Sequence, residues 1–76
     1  MAVFYPEPKG TVMNIELIDA EKINEFDLIR VQHDLEQRGV LYATVRPGNR
    51  CIWVTYGNIS CYYFVRDGKI LDVIYD

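Results

Sequence analysis

Histidine and serine each occur once in this chain, as His33 and Ser60, and cysteine occurs twice, as Cys51 and Cys61. A Ser-His-Asp triad would have to draw both its nucleophile and its base from single copies. One histidine and two cysteines cannot furnish the four ligands of a structural zinc, and no CxxC spacing is present. Two cysteines are also too few to staple a small secreted scaffold. Glycine-rich phosphate loops of the Walker or dinucleotide type are absent. No run approaches the ~18 uninterrupted apolar residues of a membrane span, and the N-terminus lacks a basic-then-apolar leader pattern. The expectations are therefore no enzyme, no cofactor, no metal, no membrane partner and a cytoplasmic location.

What is present suits a small folded domain. Half of the 76 residues are apolar and a quarter are charged, which is globular rather than disordered composition. A chain this short buries only about 60–65% of its extended surface, so its stability margin is thin. The net charge of −3 is unevenly spread. Residues 14–38 hold seven acids against three bases, whereas from residue 39 onward Arg46, Arg50, Arg66 and Lys69 outnumber Asp67, Asp72 and Asp76 by one. An acidic helical half beside a mildly basic sheet half argues against a general binder of phosphate backbones, which needs a basic stripe.

Residues 1–10 read as an extended arm, because Pro6 and Pro8 fix their own φ and restrict the residues before them. Phe4 and Tyr5 are expected to dock this arm on the domain of residues 11–76. Residues 11–18 alternate, with Met13, Ile15 and Leu17 on one side, as in a half-buried strand. A helix follows with clear end signals. Asn24 suits the N-cap, Asp27 is placed like the acid of a capping box, and Ile23 and Leu28 are spaced as a hydrophobic staple. Arg38-Gly39-Val40 fits a Schellman stop. Leu28, Val31 and Leu35 share the core stripe, while Phe26, Ile29 and His33 form a second stripe on another flank.

Four strands are expected at residues 40–46, 50–56, 59–65 and 69–75, rich in Tyr, Val, Ile, Phe and Trp. Gly48-Asn49, Gly57-Asn58 and Asp67-Gly68 mark the reversals. If each loop has two residues, Val45 pairs with Ile52, Val54 with Cys61, and Val65 with Ile70. Alternation then sends Leu41, Ala43, Val45, Ile52, Val54, Tyr56, Ile59, Cys61, Tyr63, Val65, Ile70 and Ile74 toward the helix. Tyr42, Thr44, Arg46, Cys51, Trp53, Thr55, Tyr62, Phe64, Leu71, Val73 and Tyr75 fall on the other face. Cys51 and Cys61 point apart, which excludes a disulfide between them. The expected fold is thus α+β, a single small domain in which one strand and one helix are followed by a four-stranded antiparallel meander.

The face opposite the helix is the leading candidate surface, since so large an aromatic patch exceeds what monomers usually leave in water. Its partner-binding residues are expected to be Tyr42, Arg46, Trp53, Tyr62, Phe64 and Tyr75; the ridge Phe26, Ile29 and His33 is the other candidate. Trp, Tyr and Arg are the residue types that dominate protein interfaces. The functional expectation is a small acidic interaction protein that binds and inhibits another macromolecule, of the kind phage and mobile elements encode, or that forms a homodimer. The alternative is a module that stacks single-stranded nucleic acid on the aromatic face, for which the few cations are a weak match. An enzyme acting on small substrates would need a closed pocket at Tyr56, Tyr63 or Asp72. The coverings that would remove the candidate surface are the arm, through Phe4 and Tyr5, or closure of the sheet into a partial barrel.

Overall fold

A computed structural model describes residues 14–76. Strand β1 (Asn14–Leu17) leads through a 3-10 turn (Ala20–Lys22) into helix α1 (Glu25–Gln37). Strands β2 (Tyr42–Pro47), β3 (Ile52–Tyr56), β4 (Ile59–Arg66) and β5 (Lys69–Tyr75) follow. All five strands form one sheet in the order β1-β2-β3-β4-β5. Strand β1 runs parallel to β2, and every other neighbour is antiparallel. A parallel neighbour cannot be reached by a tight turn, and α1 supplies the crossover that it requires. The expected arm, and residues 11–13 of the expected first strand, lie outside the described residues. So does any covering of the sheet by Phe4 and Tyr5.

Both ends of α1 form as their residues dictate. The Asn24 side chain accepts the N–H groups of Phe26 at 2.9 Å and Asp27 at 3.4 Å. Asp27 does not reach back to complete a capping box; its Oδ1 instead accepts the Gly68 N–H at 2.8 Å, tying the β4–β5 turn to the first turn of the helix. At the other end the Val40 N–H reaches Leu35 O and the Gly39 N–H reaches Glu36 O, both at 3.0 Å. This is the Schellman pair, and Gly39 takes the left-handed conformation it needs, with φ +76°. Val31 and Leu35 are fully buried, and Leu28 packs beside them. They meet Ala43, Val45, Ile52, Val54, Cys61 and Tyr63 from the sheet, all buried. The core thus lies between α1 and one face of the sheet.

Two registers differ from expectation, with opposite consequences. Val45 pairs with Val54 rather than Ile52, because the β2–β3 connection is a four-residue loop at residues 48–51. Pro47 extends β2 to pair with Ile52, and the Gly48 N–H closes the loop on Cys51 O at 2.8 Å. The slip is two residues, so every side chain keeps its face. Cys51 leaves the strand for the loop. The expected Val54–Cys61 and Val65–Ile70 pairs are both present. Beyond Val65, however, a β-bulge shifts β5 by one residue, so that Phe64 lies opposite Asp72 and Tyr63 opposite Val73. Leu71 is the extra residue.

The bulge inverts the outer half of β5. Val73 and Tyr75 turn to the helix side, and Asp72 and Ile74 turn away from it. The physical reason is Asp72. In an unbroken ladder it would point into the core, where an unpaired carboxylate is costly. One inserted residue lets Ile70 and Val73 both pack on the core while Asp72 stays exposed.

Candidate binding surface

The sheet face away from α1 is organised by cross-strand rows. Arg46 pairs with Trp53, Trp53 with Tyr62, and Tyr62 with Ile74, so four strands contribute one continuous row. The Arg46 guanidinium lies 4.4 Å from the Trp53 ring centroid, a cation–π contact. The Trp53 and Tyr62 rings are 5.3 Å apart and tilted by 55°, within the range of favourable aromatic pairs. Phe64 stands next along β4, opposite Asp72. Toward the other end of the sheet the row Glu16, Thr44, Thr55 and Ser60 is polar. The face is therefore half apolar shelf and half hydrogen-bonding strip. Among the described residues no helix or strand packs on it.

Of the residues expected to share this surface, Arg46, Trp53, Tyr62 and Phe64 are brought together. Tyr42 is on the same face but at its β1 side, 59% exposed, with its hydroxyl donating to Glu16 Oε1 at 3.4 Å. Tyr75 is not on the surface. The bulge carries it to the helix side, where its hydroxyl accepts from Arg38 Nη1 at 2.7 Å. Ile74 takes the place opposite Tyr62 that an unbroken ladder gives to Val73, and is 46% exposed. The second ridge is separate, with the sheet between it and the aromatic shelf. Phe26 and Ile29 are 69% and 54% exposed and, with His33, Arg30, Asp67 and Gly68, line an open hollow of about 340 Å³.

A cluster that the sequence reading missed joins α1 to the sheet. Tyr63 donates its hydroxyl to Asp34 Oδ2 at 2.5 Å, and Arg38 Nε donates to the same oxygen at 2.8 Å. Burial pushes the Asp34 carboxyl up, but the Tyr63 hydroxyl, Arg38 and Arg30 outweigh it and hold the group below the ordinary carboxylate value. Burial, then the bond to Asp34, pushes the Tyr63 phenol far above its ordinary value. The bond to Asp34 likewise raises Arg38. Burial and the neighbouring Tyr75 raise Tyr56, and burial raises the Cys61 thiol. Because Tyr63 on β4 and Arg38 at the end of α1 share one oxygen of Asp34, the cluster clamps the helix to the sheet. The available signals were the Asp34/Arg38 spacing of four and a core-facing tyrosine hydroxyl that had to find a partner.

Both cysteines are free thiols. Among the described residues no three His, Cys, Asp or Glu side chains are grouped to hold a metal ion, and no helix is long and apolar enough to cross a membrane. No protein-family model, curated protein or solved structure matches the chain.

Proposed function

We propose that this protein is a non-enzymatic interaction module that binds, and by occupying it inhibits, another protein through the shelf formed by Arg46, Trp53, Tyr62, Phe64 and Ile74. The observation that carries this reading is the Arg46–Trp53–Tyr62–Ile74 row, on a face that no other described element packs against. Hot spots of protein interfaces concentrate in Trp, Tyr and Arg, and a pre-stacked Arg–Trp–Tyr array loses little side-chain freedom when a partner arrives. The polar row beside it supplies the hydrogen-bonding border such interfaces carry. The acidic helix with Phe26, Ile29 and His33 is the competing contact surface, and a homodimer through the shelf is a form of the same reading.

The test is affinity capture with the wild type, Trp53→Ala and Ile29→Ala, each first checked for native circular dichroism. Loss of retained proteins with Trp53→Ala alone supports the shelf. Identical retention by wild type and Trp53→Ala refutes it, and loss with Ile29→Ala alone transfers the function to the helix ridge. Sedimentation of the purified chain distinguishes self-association. The Arg46–Trp53–Tyr62 stack also favours a second reading, the stacking of single-stranded nucleic acid. Fluorescence anisotropy with a labelled oligonucleotide tests it, since that reading requires binding that weakens steeply with salt.

A further inference from the structure

At the end of the sheet where α1 begins, a cavity of about 430 Å³ opens between Lys22-Ile23-Asn24 and the loop of residues 48–51. Three cations line it, Lys22, Arg50 and Arg66, and the one acid on its wall is Asp27. Asp27 Oδ1 is already occupied by the Gly68 N–H. Lys22 has a loose ion pair with Asp19 at 3.9 Å, and neither arginine has an ion pair among the described residues. A chain of net charge −3 thus gathers three positive groups against one negative around a single hollow. Arg50 is also presented from a defined turn. Its backbone is left-handed, with φ 63°, inside the loop closed by the Gly48 N–H.

Like charges lining one concavity repel until a counter-charge enters. A carboxylate would neutralise one of the three, whereas a phosphoryl dianion presents several oxygens to two planar guanidinium forks and an ammonium. We infer that this cavity binds a phosphoryl group. Its volume exceeds that of inorganic phosphate and leaves room for an organic remainder. The Trp53 indole stands directly behind the loop, against Gly48. The same phosphoryl chemistry is offered by a small phosphate ester and by a nucleic-acid backbone.

The test is an NMR titration of the isotope-labelled full chain with inorganic phosphate, at ionic strength held constant with chloride. Saturable shifts confined to residues 22–24 and 48–51 and to the Arg50 and Arg66 Nε–H signals are expected. Arg50→Gln and Arg66→Gln should each weaken binding at least about fivefold, as loss of a charge-assisted bidentate contact does. Arg30→Gln, which removes the same charge outside this cavity, should change it by less than about twofold. Both arginines are exposed, so the spectra of these variants should keep the wild-type pattern elsewhere. Shifts that do not saturate, wild-type affinity in both arginine variants, or equal weakening by Arg30→Gln would each overturn the inference. A short oligothymidylate then separates the sources: competition with phosphate for the same signals assigns the site to a nucleic-acid backbone, and no competition assigns it to a small phosphate.

Discussion

Replacing Tyr63 by Phe deletes one hydroxyl and leaves the ring that fills the core. That hydroxyl donates to Asp34 Oδ2 at 2.5 Å, on the oxygen that also receives Arg38 Nε. A hydrogen bond to a charged acceptor contributes about 1.5–3 kcal/mol. Arg38 remains in the variant, and the Asp34 side chain keeps 22% of its surface in water, so the lower part of that range applies. A loss of about 1.5–2 kcal/mol lowers the Tm of a domain this small by roughly 6–16 °C. The pH dependence carries a second signature. Asp34 titrates below its unfolded value of about 4, so its contribution is complete above that pH and is lost as pH falls through the folded value. Tyr63 titrates above its unfolded value of about 10, so its contribution is complete below that pH and is lost as pH rises through the folded value. Tyr63→Phe should remove the Tyr63 share of the alkaline loss, leaving those of Tyr56 and Cys61, and should narrow the acid loss by letting Asp34 return toward its unfolded value. Urea melts at about pH 3, 7 and 11 measure all three points. A variant as stable as wild type at neutral pH, or one with an undiminished alkaline loss, would refute the clamp.

Gly48→Ala should cost about 1–3 kcal/mol and shift the Trp53 fluorescence, because a Cβ there would sit 2.2 Å from the indole and 2.9 Å from Cys51 Sγ. Unchanged emission and stability would mean the loop does not press on the ring. Gly39→Val should destabilise by about 1 kcal/mol or more, since φ +76° penalises a branched side chain, and thermal melting reads it directly. Deleting Leu71 removes the surplus residue yet leaves Phe64 opposite Asp72 and Tyr63 opposite Val73, so the ladder closes with the carboxylate still outside. Stability within about 1 kcal/mol of Leu71→Ala is expected in urea melts; a loss of about 3 kcal/mol or more would disprove the role given to the bulge.

Most of the fold was legible where local chemistry acts alone. Asn24 and Gly39 announced the helix ends, and Val31 and Leu35 its buried stripe, because capping and periodicity need no knowledge of distant residues. The β2–β3 loop was misjudged by two residues without harm, since pleat parity survives an even slip. The β5 error changed the candidate surface, exchanging Tyr75 for Ile74, because a bulge is settled by what the strand must bury rather than by its turn. Its trace was nevertheless present: an unbroken ladder from Asp67-Gly68 placed Asp72 among apolar neighbours, and that conflict itself called for an extra residue. The Asp34–Tyr63–Arg38 cluster left signals only for its parts, the Asp34/Arg38 spacing and a core-facing tyrosine, and not for their meeting. It joins positions 29 residues apart, and only the packed helix brings them within bonding distance.

The kink at Leu71 has a further effect, on what this molecule does in a crowd. Among the described residues strand β5 is the last in the sheet, and none of them pairs with its outward N–H and C=O groups. Leu71, Ile74 and Tyr75 alone would make that margin adhesive. A strand bent by one surplus residue and carrying Lys69 and Asp72 cannot lie flat against a copy of itself. The residue that keeps a carboxylate out of the interior therefore also bends the margin along which neighbouring molecules would have to zip together.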